Sequence, residues 1–132
     1  MKILIVDDSK IARENIRKEL EQGGYEVVET ESGEAALSMV NNFIPDLITM
    51  DMEMPGLNGH ETTRCLRELL KGEKNRKGEV PIIMISDHNS GKAHMDGFKA
   101  GVTDFVEKPF EHGTLLELVN YLLKAEKTAS FG

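Results

Sequence analysis

The stretch Leu47-Ile48-Thr49-Met50-Asp51-Met52-Glu53-Met54-Pro55-Gly56 is a short apolar run that ends in a carboxylate and then a turn. The run lacks glycine and proline and is bounded by turn residues, which predicts a buried strand over Leu47 to Met50. A carboxylate at the carboxyl end of such a strand sits at the rim of a sheet, where open α/β folds bind their ligands. Three other segments follow the same plan. Ile3-Leu4-Ile5-Val6 ends in Asp7-Asp8, Ile82-Ile83-Met84-Ile85 ends in Ser86, and Asp104-Phe105-Val106-Glu107 is followed by Lys108. Parallel strands would bring all four ends to one edge.

Working outward from that stretch, strands and helices alternate. Residues 2–6 form the first strand, and Ser9 caps a helix with apolar positions Ile11, Ala12, Ile16 and Leu20. Arg13, Glu14, Arg17, Lys18 and Glu21 fill the positions read as exposed, and Gly23-Gly24 stops the helix. Tyr25 to Thr30 carries Glu26 and Glu29, which suits an edge strand. Ser32-Gly33 opens a second helix that runs out at Asn41-Asn42. Asn58 and Glu61 have the spacing of a capping box, and Thr62, Cys65, Leu66, Leu69 and Leu70 repeat at helical period behind them. On this pattern Cys65 is a buried small hydrophobe.

Lys71 to Glu79 reads as a mobile, charged surface loop, and Pro81 leads into the fourth strand. A short, marginal helix over 91–100 precedes the fifth strand, Asp104 to Glu107. The last helix is marked by Leu115, Leu118, Val119, Leu122 and Leu123. One domain over 1–125 is expected, with 126–132 as a tail or the start of a linker. Five strands alternating with five helices predict a doubly wound α/β fold with a parallel sheet covered on both faces.

The whole-chain bounds agree. With 132 residues the chain suits one domain with a real core, and 39% hydrophobic with 30% charged residues fits a soluble globular protein. A formal net charge of -7 argues against direct nucleic-acid binding by this domain, which needs clustered Lys and Arg. A single cysteine excludes an intramolecular disulfide. No signal peptide and no apolar run of membrane-spanning length is apparent, so no membrane partner and a cytoplasmic location are expected.

Asp7, Asp8 and Asp51 placed together either raise a pKa or bind a cation. Oxygen-only ligands suit Mg²⁺, with waters completing its octahedron. A carboxylate can itself attack phosphorus and form an aspartyl phosphate. Phosphoryl transfer also needs positive charge at the phosphoryl oxygens, which Lys108 supplies along with the metal, and Ser86 can hydrogen-bond one of those oxygens. Each placement has an ordinary explanation as a cap, a turn or a surface ion pair. Their coincidence at successive strand ends favours an Mg²⁺-assisted phosphoryl-accepting site with Asp51 as nucleophile.

The chain resembles the receiver domain of two-component response regulators, of which the single-domain chemotaxis regulator is a simple example. The matching pieces are Val6-Asp7-Asp8, Met50-Asp51-Met52-Glu53-Met54-Pro55-Gly56 with Gly59, Ile85-Ser86, and Lys108-Pro109-Phe110, in order and spacing. The resemblance implies a flavodoxin-like sheet of order 2-1-3-4-5. It implies that Asp51 accepts a phosphoryl group from a histidine kinase or phosphotransfer protein. Asp8 and Asp51 would bind Mg²⁺ directly, with the Glu53 backbone carbonyl as the remaining protein ligand and Asp7 acting through water. Lys108 would pair with the phosphoryl group across a cis Lys108–Pro109 bond. Ser86 would shift toward it and Phe105 would swing inward behind. The fourth helix, fifth strand and fifth helix would form the surface that controls an output partner or domain, whose identity stays open, as does a homodimer formed on phosphorylation.

Three positions depart from the usual pattern. Ser86 stands for the commoner Thr, Phe105 for the commoner Tyr, and Asp87 where a small residue is usual. The Asp87 carboxylate would repel a phosphodonor or pair with Lys92, His88 or Lys108, so it is expected to tune rates. Glu53 and His88 hold positions that, by the resemblance, influence the attacking water. Three other readings compete with a self-phosphorylating and self-dephosphorylating switch that is not otherwise an enzyme. A small Mg²⁺-dependent phosphohydrolase would turn over a simple phosphomonoester, yet no lid is evident and only Glu53 could serve as general acid. A phosphorylation-independent interaction module would not need the acidic pair, Asp51, Ser86 and Lys108. A flavin-binding protein would need a phosphate-cradling loop after the first strand, which is lacking.

Overall fold

The computed structural model describes residues 1–73, 79–87 and 91–129, and of Lys92, Ala93 and residues 124–129 only the backbone. The elements run β1 (Lys2–Val6), α1 (Lys10–Gln22), β2 (Glu26–Thr30), α2 (Gly33–Met39), β3 (Leu47–Asp51), α3 (Gly59–Leu69), β4 (Ile82–Ser86), α4 (Gly91–Ala100), β5 (Asp104–Glu107) and α5 (Thr114–Ala129). The five strands are parallel in the order β2-β1-β3-β4-β5, so β2, with its glutamates, is an edge strand as its sequence suggests. The helix α5 continues to Ala129, into the stretch read from sequence as a tail or linker. The centre of the charged loop, residues 74–78, and His88 both lie outside the described residues.

Alternation along each strand sorts the core into two layers. Ile3 and Ile5, Leu47, and Ile83 and Ile85 pack with Ile16 and Leu20 of α1 and Leu115, Val119 and Leu123 of α5. Leu4 and Val6, Ile48 and Met50, and Ile82 and Met84 face the other way, toward Ala36 of α2 and Leu66 of α3. The three central strands β1, β3 and β4 are apolar on both sides because both sides are covered. Each fully buried aliphatic chain here contributes about 1.5–3 kcal/mol.

Local chemistry sets where each helix starts, and so where each loop at the carboxyl edge lies. Ser9 Oγ accepts from Ala12 N at 3.2 Å, and Ser32 Oγ accepts from Ala35 N at 3.1 Å. Asn58 and Glu61 form the reciprocal capping box, at 2.9 and 3.0 Å. Gly59, the first residue of α3, presses on the end of β3. A Cβ there would stand 2.5 Å from Asp51 O and 2.8 Å from Met52 Cα. Backbone cannot yield as a side chain would, so Gly59→Ala is expected to lower unfolding free energy by about 1–3 kcal/mol, read by chemical denaturation.

Several helix faces differ from the sequence expectation. Ile11 is 72% exposed, although Ile16 and Leu20 are buried as expected. Five residues separate Ile11 from Ile16, which turns it about 140° away from the buried stripe. Arg13 and Arg17, expected in solvent, instead lie partly buried over β2, where both pair with Glu29 at 3.1 and 3.0 Å. Glu19 is buried and accepts from Leu116 N at 2.8 Å, anchoring the start of α5 to α1. On α3 the inward face is Gly59, Thr62, Thr63 and Leu66. Cys65 is exposed rather than buried, and Leu69 is 48% exposed, each being about 100° round the helix from its buried neighbour.

Candidate functional site

The carboxyl ends of β1 and β3 bring three acids together. Asp7 is buried, Asp8 is exposed, and Asp51 is buried as the last residue of β3. One carboxylate oxygen from each lies within 4.8 Å of the others. Asp7 is held from two directions: its Oδ1 accepts from Ser9 N at 2.9 Å, and its carbonyl accepts from Arg13 Nη1 at 2.7 Å. Arg13 is in turn fixed by Glu29 of the edge strand. Its position within about 40° of the Ile16–Leu20 stripe was the available signal for this role, which the sequence reading missed.

From the other side of the site, Lys108 Nζ reaches 3.4 Å from Asp51 Oδ1 and 3.8 Å from Asp7 Oδ2. It follows β5 directly, its N–H bonds Ser86 O at 2.8 Å, and the Lys108–Pro109 bond is cis, as the resemblance implied. Ser86, at the end of β4, is buried, and its Oγ donates to Met52 Sδ at 3.4 Å. Phe105 is half-buried on β5. Glu53 is exposed in the loop after β3. Asp87 is exposed and shares with Lys108, Pro109 and Phe110 the wall of a cavity of about 770 Å³ against α1.

Lys108 faces the carboxylates of Asp51 and Asp7, Arg13 adds a weaker pull on Asp7, and the protonation equilibria record the shortfall of positive charge. Burial first, then the neighbouring Asp7 charge, push the Asp51 carboxyl up to about 6, against the pull of Lys108. Burial also raises Asp7, more than the Ser9 N–H and Lys108 lower it. Burial alone would lower Lys108, but Asp51 and Asp7 overcome it and leave the ammonium raised. Asp87 adds to that pull from the rim.

The residues fit a divalent cation. Asp7 Oδ2 is buried without a hydrogen-bond partner, and the donor set is all carboxylate oxygen, which suits a hard ion. Among the described residues this is the one cluster of potential metal-binding side chains.

Comparison with known proteins agrees with this geometry. The response regulator receiver domain model matches residues 3–120, and the chain belongs to that family. It is 35% identical over 127 residues to the response regulator MprA of Mycobacterium leprae, covering 96% of this chain and 53% of that one. The response regulator MprA of Mycobacterium avium is 34% identical over the same span and coverage. The chain thus spans about half the length of the curated relatives it matches. Among solved structures, Vibrio cholerae chemotaxis protein CheY4 superposes with a TM-score of 0.82 at 30% identity, over 91% of this chain and 96% of that one. The receiver domain of a sensor histidine kinase from Pseudomonas aeruginosa, with magnesium coordinated in its active-site cleft, superposes with a TM-score of 0.78 at 28% identity, over 91% and 94%.

The chain is therefore the receiver domain of a two-component response regulator, a signalling class rather than a classical enzyme. Such domains interact with histidine kinases or phosphotransfer proteins, and they typically bind Mg²⁺ in an acidic pocket. No helix among the described residues is long and apolar enough to cross a membrane.

Proposed function

We propose that this domain is a phosphorylation-dependent switch in which Asp51 accepts a phosphoryl group from a phosphohistidine donor. The observation that carries this is Lys108 Nζ standing 3.4 Å from Asp51 Oδ1 where three carboxylates converge. An Asp51 oxygen forms the new bond to phosphorus as the P–N bond of the donor breaks, and the imidazole nitrogen leaves with that electron pair. A carboxyl at about 6 is mostly ionised at neutral pH, so the nucleophile is available. Lys108 places its charge against the phosphoryl oxygens, and the Ser86 hydroxyl leaves Met52 to donate to one of them.

Asp8 and Asp51 are the side chains that would hold Mg²⁺, with the Glu53 carbonyl, and with Asp7 through water. The bound ion adds positive charge at the phosphoryl oxygens. The domain proper spans 1–125, and its output surface is formed by α4, β5 and α5. Met95 and Phe98 of α4 and Tyr121 of α5 are exposed there at 59%, 55% and 69%, which suits a protein partner.

Incubation with acetyl phosphate and Mg²⁺ tests the reading. One phosphoryl group should appear by intact mass, and chelation of the metal should prevent it. No adduct, with no beryllofluoride bound in parallel, would sink the switch reading.

The rim carboxylate makes a separate prediction. Asp87 faces the approach to Lys108 and draws on its charge. Asp87→Ala is expected to speed phosphorylation by acetyl phosphate by about twofold to tenfold at low salt, less at high salt. Equal rates for both proteins would remove Asp87 from any role in tuning. His88 and Glu53 are proposed to act on the reverse reaction, at the attacking water.

A further inference from the structure

On the layer that faces α1 and α5, the three central strands present Ile3 and Ile5, Leu47, and Ile83 and Ile85. Thr49 stands among them. Alternation puts its side chain on the same face as Leu47 and Asp51, and the register pairs it with Ile5 of β1 and Ile83 of β4. It is 1% exposed, and its Oγ1 has no hydrogen-bond partner among the described residues. Valine fills the same shape and suits a strand equally well, so packing does not account for the hydroxyl. A buried hydroxyl that stays unpaired costs free energy.

A second orphaned oxygen belongs to the neighbouring strand. Asp7 comes two residues after Ile5, which makes it the diagonal neighbour of Thr49 across the β1–β3 pair. Its Oδ1 is held by Ser9 N, but its Oδ2 is buried without a hydrogen-bond partner and has only the Lys108 ammonium, 3.8 Å away. The hydroxyl can donate a proton, and the carboxylate can only accept one. Paired strands lie about 4.8 Å apart and two residues rise about 6.6 Å, so the two Cβ atoms stand about 8 Å apart. Each oxygen extends from its own Cβ, and the remaining span suits one water making two hydrogen bonds of about 2.8 Å. Buried waters characteristically satisfy polar groups that would otherwise be orphaned.

We propose that Thr49 is a positioning residue of the acidic site: a buried water accepts from its hydroxyl and donates to Asp7 Oδ2, fixing the Asp7 carboxylate in the orientation that serves Mg²⁺ binding. This rests on the reading of Asp7, Asp8 and Asp51 as the Mg²⁺ site. Groups that hold a metal's acids in place raise the affinity for the ion without touching it. The bridge also leaves Oδ2 a donor when Lys108 turns its charge to a phosphoryl group.

The test compares wild type, Thr49→Val and Thr49→Ser by Mg²⁺ titration followed by amide NMR, and by thermal unfolding in chelator. Thr49→Val keeps the volume and deletes the hydroxyl. It should bind Mg²⁺ about threefold to tenfold more weakly, the range that one hydrogen bond contributes, while unfolding close to the wild-type temperature. Thr49→Ser keeps the hydroxyl and gives up a buried methyl. It should bind Mg²⁺ within about twofold of wild type, yet unfold several degrees lower. Affinity then follows the hydroxyl while stability follows the methyl, a split that a merely structural role does not produce. A crystal structure of the wild type should show the water between Oγ1 and Oδ2, and one of Thr49→Val should lack it. Equal affinity in Thr49→Val, or a loss in Thr49→Ser as large as in Thr49→Val, overturns the role of the hydroxyl. No Mg²⁺ binding by the wild type overturns the metal-site reading itself, and the proposal with it.

Discussion

Asp51→Asn is expected to abolish phosphoryl uptake and, in the absence of Mg²⁺, to make the protein more stable. Loss of uptake follows because the amide has no oxygen nucleophile of carboxylate strength. The gain in stability follows from the charge balance. Folding takes the Asp51 carboxyl from its usual value near 3.8 up to about 6, mainly by burial and by the nearby Asp7 charge. Between these values the folded state holds a proton that the unfolded chain has released, so the stability of the wild type falls as pH rises through that window. Above it both states are ionised and the full cost is carried. Asparagine carries no charge and no such slope. The two proteins should match near pH 4 and then diverge, with the variant ahead by about 1–3 kcal/mol at pH 7. Thermal unfolding in chelator reads this as a rise of several degrees. Adding Mg²⁺ should stabilise the wild type far more than the variant, closing or reversing the gap. A variant less stable than wild type at pH 7 without metal would mean that Lys108 already compensates Asp51 in full.

The parts of this site that the sequence made legible are those fixed by strand ends. Asp7, Asp51, Ser86 and Lys108 each directly follow one of the four runs and Asp8 comes one residue later, and parallel pairing aligns these ends without further information. The edge position of β2 was equally legible, because a strand carrying Glu26 and Glu29 suits the rim of the sheet better than its fully buried centre. Helix faces were less so. A short helix with few large apolar residues leaves the phase of its stripe uncertain, and Ile11 and Cys65 were placed inward when the turn of the helix carries them out. Arg13 was missed for a related reason, since a long cation near a stripe can pack its stem and spend its charge on a neighbouring strand. The packing of Phe105 against His94 and Phe98 depends on β5 and α4 meeting in space, and no spacing within α4 announces it.

Lys108→Ala should have effects opposite in sign to Asp51→Asn on stability and the same in sign on chemistry. Removing the ammonium leaves Asp51 and Asp7 facing each other with only the weaker pull of Arg13 on Asp7, where Nζ had stood 3.4 and 3.8 Å away. Lys108 is only partly buried, so the loss is expected at about 1–3 kcal/mol in metal-free buffer at pH 7, below the cost of breaking a fully buried pair. The deficit should be small near pH 4, below the value of about 6 to which the Asp51 carboxyl is pushed, and should grow as that group ionises. Mg²⁺ should recover much of it, since a cation at the acids replaces the missing charge. Phosphorylation by acetyl phosphate should slow about 10²-fold or more even with saturating Mg²⁺, because the donor aimed at the phosphoryl oxygens is gone. Lys108→Arg separates the two roles. Its charge should restore most of the stability, while its planar fork does not reproduce the point charge of an ammonium and should leave the rate well below wild type. If Arg restored the rate as fully as the stability, charge alone would be what the site requires of residue 108, and the placement of Nζ against Asp51 would carry no chemical weight.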